Sequence, residues 1–196
     1  YSLENFAYGS TPLSTWLVLM SEIQKSGYES NQDWGVLGSS CGWMVFYAAL
    51  LFEKDAHGWE ILPSLHEYAS RVLVERVPED VRSLVHLYSC DALKGDISIC
   101  SAIIIAGQCW ESWLLNAMYK KIMLECNVGT LLLDYNGALQ RFMKGELHRS
   151  KGSGDSGSFG NRSFELVFVK SLPVSWGTVE FHLWVLQQQS STINSV

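Results

Sequence analysis

The sequence has no cluster of basic residues and no long hydrophobic run. Its 14 lysines and arginines are spread along 196 residues, and 20 acidic residues bring the formal net charge to -6. A surface that binds nucleic acid needs concentrated positive charge, so this composition does not favour a nucleic-acid partner. Apolar runs such as 103–106 and 131–133, and even the ten residues 43–52, are too short to span a bilayer. We therefore expect neither nucleic-acid binding nor a membrane span.

Metal-binding spacings are missing as well. The five cysteines include no Cys-x-x-Cys pair, and no set of cysteine and histidine has the spacing of a zinc site, so we expect no bound metal. An odd number of cysteines leaves at least one unpaired or bonded to another chain. Tyr1 starts the sequence without the basic and apolar segments of a signal peptide, which is either absent or already removed. The N-glycosylation triplet at 161–163 favours secretion.

What the chain does contain is a series of short apolar stretches separated by Gly, Ser, Asn and Asp. This rhythm is typical of an all-β sandwich or barrel. Residues 42–53 and 111–125 also fit a helical period, and short apolar runs cannot be assigned by periodicity alone. Residues 182–196 could close the chain as a helix. The pattern favours an all-β fold and leaves these helical alternatives open.

The stretch GSGDSGSFG, residues 152–160, has two interpretations. It is either a flexible surface loop or a loop that presents Ser156 as a nucleophile. A serine hydroxyl needs a base to take its proton and backbone N–H groups to stabilise the developing oxyanion. Gly154 and Ser156 are placed to supply two such N–H groups. The candidate bases are the five histidines, His57, His66, His86, His148 and His182.

Six segments, in order, resemble landmarks of the chymotrypsin-like serine proteases. They are SSCG (39–42), DAHG (55–58), SLVHLYSCDALKGDIS (83–98), AGQCWESW (106–113), GDSGS (154–158) and PVSWGT (173–178). The resemblance implies two antiparallel six-stranded β-barrels, over 1–105 and 106–180, and a C-terminal helix over 181–196. Departures from the family include Gly58 in place of the cysteine that normally follows the histidine, and the lack of any cysteine after Cys126.

The resemblance also implies a catalytic triad. His57 would be the general base, Asp96 the carboxylate that orients it and Ser156 the nucleophile, in the roles these residues have in that family. The oxyanion hole would be formed by Gly154 and Ser156. The implied reaction is peptide-bond hydrolysis through an acyl-enzyme, which needs no cofactor. The implied protein is a secreted or granule monomer whose partners are protein or peptide substrates and protein inhibitors.

Residues that bind substrate follow from the same resemblance. Ser150 would lie at the base of an apolar specificity pocket, and Ser175, Trp176 and Gly177 would line the bound peptide. The resemblance further implies activation from a zymogen, in which the N-terminus at Tyr1 would form a salt bridge with Asp155. It also implies that disulfides stabilise the secreted fold.

Two alternatives compete with the serine protease. Cys41 precedes an apolar segment that can be helical, and papain-like and OTU-like cysteine proteases present their thiolate at a helix N-terminus, with His148 or His182 as the base here. Cys41 could equally be a buried structural thiol. The other alternative is a binding module that keeps the protease fold without catalysis.

Overall fold

Helices and strands alternate along most of the chain. The computed structural model describes residues 10–28, 32–145 and 161–188. Its elements are α1 (Leu13–Lys25), β1 (Trp34–Leu37), α2 (Trp43–Phe52), β2 (Ala56–Glu60), α3 (Pro63–Arg76), α4 (Glu79–Arg82), β3 (Val85–Ser89), β4 (Ala102–Ile105), α5 (Ser112–Glu125), β5 (Leu131–Tyr135), α6 (Ala138–Met143), β6 (Arg162–Val174) and β7 (Gly177–Gln188).

All seven strands belong to one sheet with the order β3-β2-β1-β4-β5-β7-β6. The pairs from β3 to β5 are parallel, and β7 is antiparallel to both β5 and β6. From β1 the chain builds β2 and β3 on one side, then returns to build β4 and β5 on the other. Neighbouring connections therefore diverge between β1 and β4, which is where open α/β sheets form their binding crevices.

Helices cover both faces of the sheet. The core on one face contains Trp16 of α1, Phe46 of α2 and Val72 of α3. The core on the other face contains Met118 of α5 and Phe142 of α6. Successive strand residues alternate between the two cores, so the central strands are buried on both sides. The architecture is a three-layer α/β sandwich.

The expected all-β fold of two six-stranded barrels is wrong. Parallel strands covered on both faces are short continuous apolar runs, and by sequence they resemble the strands of a β-sandwich. Residues 42–53 and 111–125, for which helix remained an alternative, contain α2 and α5. The C-terminal helix expected over 181–196 is also wrong where the chain is described, since residues 181–188 lie in β7.

Strands from all three expected segments hydrogen-bond in the same sheet. Residues 1–105 supply β1 to β4, 106–180 supply β5 and β6, and β7 crosses the boundary to 181–196. The division into 1–105, 106–180 and 181–196 stays a prediction about independently folding units. Within the three described ranges, every helix is too short or too polar to cross a bilayer.

Candidate functional site

A cavity of about 740 Å³ opens at the carboxyl ends of the central strands. Its lining comes from the segments that follow β1, β2, β3 and β4, from the end of β5, from the turn between β6 and β7, and from residues 10 and 11. Small-molecule sites typically enclose about 300–1,000 Å³. Size and position agree with the crevice expected where the strand order diverges.

The β1–α2 loop, residues 38–42, forms one wall of this cavity. Gly38, Ser40 and Gly42 all have a positive φ, at 79°, 51° and 82°. Three of the five loop residues have this left-handed backbone conformation. The chain therefore turns back tightly before α2 begins at Trp43. The first turn of any α-helix leaves backbone N–H groups without intrahelical acceptors, so this loop places donors of α2 near the cavity.

Trp110 lies against this loop from the segment between β4 and α5. A Cβ added to Gly38 would lie 2.8 Å from Cζ2 of Trp110, and one added to Gly107 would lie 2.7 Å from Cδ2 and Cε3 of the same ring. The indole therefore packs directly on the bare backbone of both glycines. Only glycine at these positions lets the ring sit at this depth, and the ring lines the cavity.

Glu60, the last residue of β2, joins two of the surrounding segments. One carboxylate oxygen accepts a hydrogen bond from the backbone N–H of Ser40 and the other accepts one from Leu62, each at 2.8 Å. The side chain lines the cavity although the residue is only 6% exposed. A carboxylate has about four acceptor positions, so these two bonds leave others able to accept from a ligand.

Ser40 also contributes a buried hydroxyl. Among the described residues, its Oγ has no hydrogen-bond partner. Leaving a buried polar group unpaired costs about 1–3 kcal/mol. Ser40 lines the cavity, but its hydroxyl is closed to solvent, so a ligand can supply the missing bond only after this side chain rotates towards the cavity.

Tyr135, at the end of β5, also lines the cavity. Its hydroxyl lies 3.0 Å from the Thr11 Oγ1. Burial raises the pKa of Tyr135 to about 12, so the phenol is neutral at physiological pH. Next to it in the strand, buried Asp134 accepts hydrogen bonds from the Tyr119 hydroxyl and the Leu139 backbone N–H. Burial raises the pKa of this carboxyl above its ordinary value. These bonds fix the strand end that carries Tyr135.

His57 and Asp96, two members of the expected triad, have other partners. The Nδ1 of His57 lies 3.1 Å from the Tyr88 hydroxyl, and its ring stacks on His86 with centroids 4.7 Å apart. Asp96 is exposed and accepts hydrogen bonds from the backbone N–H and hydroxyl of Ser98. Ser156 lies outside the described residues, so the triad geometry stays untested.

Burial and the neighbouring His86 lower the pKa of His57, with smaller opposing effects from Asp55 and Asp33. We therefore expect His57 to destabilise the fold when it is protonated. The unfolded state binds the proton more readily, so stability is lost as pH falls from about 6.5 towards the lower folded pKa. His57→Asn should flatten this part of the pH profile of the urea midpoint. Equal slopes in wild type and His57→Asn would contradict this.

Of the other residues assigned by the resemblance, some lie in the β6–β7 region and the rest lie outside the described residues. Ser175 exchanges hydrogen bonds with Ser10, at 2.9 and 3.0 Å, and Trp176 lines the cavity from the same turn. Gly177 begins β7 with a φ of 140°. The predictions on Tyr1, Ser150, Gly154 and Asp155 lie outside the described residues.

The cysteines form no disulfide, so the expected disulfide-stabilised protein is wrong. Cys41 does precede a helix and lines the cavity, half-buried, together with the exposed Cys109. Cys100 and Cys126 are buried, and burial raises the pKa of Cys126 to about 12. Buried protonated thiols of this kind are packing groups.

Sequence reasoning missed Glu60, although a signal for it exists. An apolar strand, a glycine-containing turn, a helix and then an acid about 20 residues on is the pattern of a nucleotide-binding βαβ unit. Gly38 and Glu60 fit this spacing. Ser40 stands where the usual fingerprint has its second glycine, which weakens the signal. The structure shows that Ser40 adopts the left-handed conformation that a glycine would normally supply.

No family model and no curated protein matches this sequence. Solved structures do match its fold. An RNA methyltransferase from Salinibacter ruber in complex with S-adenosyl-L-homocysteine is 16% identical, with a TM-score of 0.59 over 93% of this chain and 97% of that one. Magnesium protoporphyrin IX methyltransferase from Synechocystis with bound SAM is 10% identical, with a TM-score of 0.65 over 91% of this chain and 79% of that one.

A third match is precorrin-6y C5,15-methyltransferase from Geobacter metallireducens, which is 12% identical, with a TM-score of 0.59 over 92% of this chain and 90% of that one. The fold is therefore that of these methyltransferases, and the resemblance to chymotrypsin-like proteases is wrong. The serine endopeptidase, the cysteine protease and the protease-fold binding module all fall with it. Short motifs in the right order do not determine which strands pair. The strand pairing in this protein differs from that of the two antiparallel barrels that the resemblance implied.

Proposed function

We propose that this protein binds S-adenosylmethionine and transfers its methyl group to an acceptor, which makes it a transferase. The observation that carries the proposal is Glu60 at the end of β2, facing the β1–α2 loop within one cavity. In doubly wound folds, an acid at this place hydrogen-bonds the hydroxyls of a bound ribose. The methyltransferase structures of the same fold, two of them with S-adenosyl ligands, support this choice of nucleotide.

The residues of the cavity fit such a ligand. The free acceptor positions of Glu60 suit the two ribose hydroxyls, and the buried Ser40 hydroxyl lacks a partner among the described residues. N–H groups in the first turn of α2 favour a carboxylate, such as that of the methionine portion. The bare backbone of Gly38 and the Trp110 ring shape the wall beside these groups.

S-adenosylmethionine supplies an electrophilic methyl group bound to a sulfonium sulfur. The chain's own contribution is positioning and exclusion of water, because a methyl transfer accelerates when donor and nucleophile are held in line. Trp110 and Trp176 line the cavity from the segment after β4 and from the β6–β7 turn. They place apolar surface where the reacting groups would meet.

Calorimetric titration tests the proposal directly. S-adenosylmethionine and S-adenosylhomocysteine should bind the same single site. NAD should not bind, because Ser40 replaces the second fingerprint glycine, which lets the backbone approach a pyrophosphate in dinucleotide-binding folds. Binding of NAD with neither S-adenosyl compound would overturn the assignment. Detection of S-adenosylhomocysteine formed in the presence of an acceptor would establish the transfer.

Ser40→Ala should separate ligand binding from stability. Removing an unpaired buried hydroxyl should leave the free energy of unfolding unchanged or raise it, by up to about 1 kcal/mol. Removing a hydrogen bond to the ligand should weaken S-adenosylhomocysteine binding by about 3- to 10-fold. Urea denaturation and calorimetry measure the two effects.

The matched control is Ser26→Ala, which deletes a hydroxyl already bonded to the Glu22 carbonyl, outside the cavity. This variant should lose a little stability and keep full affinity. A Ser40→Ala protein that is less stable and binds normally would show that the hydroxyl has a structural partner.

A further inference from the structure

Charge is unevenly distributed around the cavity. Two carboxylates belong to its described lining: Glu60 ends β2, and Asp91 follows β3. The other half is formed by residues 10 and 11, the segment after β4, α5, the end of β5 and the β6–β7 turn. Its polar side chains are Ser10, Thr11, Gln108, Cys109 and Tyr135.

Tyr135 does not add charge to this half, because burial raises the pKa of its phenol to about 12. The described lining contains no Lys, Arg or His in either half. A phosphate or carboxylate entering here would lose its hydration without gaining a cationic partner, which is strongly unfavourable. The described lining of this uncharged half therefore selects against anionic acceptors.

The opening of the cavity is apolar and partly aromatic. Trp43, Ile61 and Trp176 line it and remain 38%, 37% and 43% exposed. Single exposed apolar residues are ordinary, but several grouped at one concave opening mark a binding site. Flat indole faces and a cavity of about 740 Å³ fit a small planar molecule.

The uncharged half also lacks a general base. Among its described lining residues there is no carboxylate and no imidazole. An alcohol would need such a base to become nucleophilic. A neutral amine or ring nitrogen has its lone pair available without deprotonation. A methylated ring nitrogen is a cation, and the neighbouring indole faces stabilise a cation of that kind.

We infer that the acceptor is a small, uncharged aromatic compound that is methylated on nitrogen; this rests on the proposed function. The nitrogen lone pair forms the bond to the methyl carbon. The bond from that carbon to the sulfonium sulfur breaks, its electron pair stays on sulfur, and a neutral thioether leaves. A ring nitrogen keeps the positive charge, and an amine releases a proton to water.

The test uses the full chain saturated with S-adenosylhomocysteine and three probes: quinoline, a quinoline carboxylate and naphthol. Equilibrium dialysis should show that quinoline binds at least about tenfold more tightly than its carboxylate, because only the carboxylate places an unpaired anion in the cavity. With S-adenosylmethionine, mass spectrometry should detect N-methylquinolinium and no methylated naphthol.

Trp176→Ala should weaken quinoline binding by about tenfold and change S-adenosylhomocysteine affinity by less than about twofold. Trp113→Ala removes a similarly exposed indole that does not line the cavity and should change neither. Trp176→Arg should shift the preference towards the carboxylate.

The outcomes separate the two proposals. If S-adenosylhomocysteine does not bind, the proposed function fails and this inference falls with it. If it binds but the carboxylate binds as tightly as quinoline, or if a peptide or nucleic acid is methylated while quinoline is not bound, the acceptor class is wrong and the methyltransferase proposal stands.

Discussion

Glu60→Ala is expected to weaken S-adenosylmethionine binding by about 30- to 700-fold. The carboxylate is the charged acceptor in the cavity that faces the β1–α2 loop, and hydrogen bonds to charged groups contribute about 1.5–3 kcal/mol each. A loss of about 2–4 kcal/mol converts to that range of Kd. Calorimetry on wild type and variant measures it.

The same substitution removes the acceptor of the Ser40 and Leu62 N–H groups, so some loss of stability is also expected. A ligand analogue that lacks both ribose hydroxyls separates the two effects. It should bind the wild type weakly, and Glu60→Ala should weaken it little further. Glu75→Ala, an exposed acid on α3, is the charge-matched control. Equal losses for the natural ligand and the analogue would mean that Glu60 acts only by holding the loop.

Gly38→Ala is the second large effect. The residue has a φ of 79°, where a side chain costs about 1–2 kcal/mol, and the added Cβ would lie 2.8 Å from the Trp110 ring. The indole has to shift to make room for this Cβ, and because the indole lines the cavity, its shift changes the cavity wall. We therefore expect S-adenosylmethionine affinity to fall by about tenfold or more, beyond the loss of stability.

Gly129→Ala is the matched control, because Gly129 has a φ of 92° and nothing within 4 Å of an added Cβ. It should show the backbone cost alone and bind ligand normally. Gly38→Ala combined with Trp110→Leu should recover part of the lost affinity relative to Gly38→Ala, since the clashing ring is gone. If both glycine variants bind alike, the packing of Trp110 on Gly38 has no role in the site.

The sequence allowed local structure to be predicted better than architecture. Residues 42–53 and 111–125 satisfied a helical period and contain α2 and α5, whereas residues 181–188, which were expected to be helical, lie in β7. A local sequence pattern does not show which strands pair with each other. The strand β1 bonds to β4, whose residues lie far along the chain, and β7 inserts between β5 and β6. These choices depend on which faces the helices cover.

The site was missed for a related reason. Glu60 ends a strand whose preceding residues include His57 and Trp59, and only the parallel pairing of β1 with β2 brings it to the 38–42 loop. The interpretation of GDSGS relied on residues 154–158. They match a known sequence motif, but the motif does not indicate which residues lie near it in the folded protein. In contrast, Gly38 and Glu60 have a spacing with a physical meaning, since one βαβ unit connects them.

The position of β7 between β5 and β6 affects how the sheet is completed during synthesis. Strand β5 is complete at Tyr135, but its outer neighbour ends only at Gln188. A nascent polypeptide halted before Gly177 would leave Leu131–Tyr135 as an open sheet edge and β6 without its partner. Exposed edges of that kind pair with other molecules. We therefore expect ribosome-bound chains of this length to associate more readily than the complete chain.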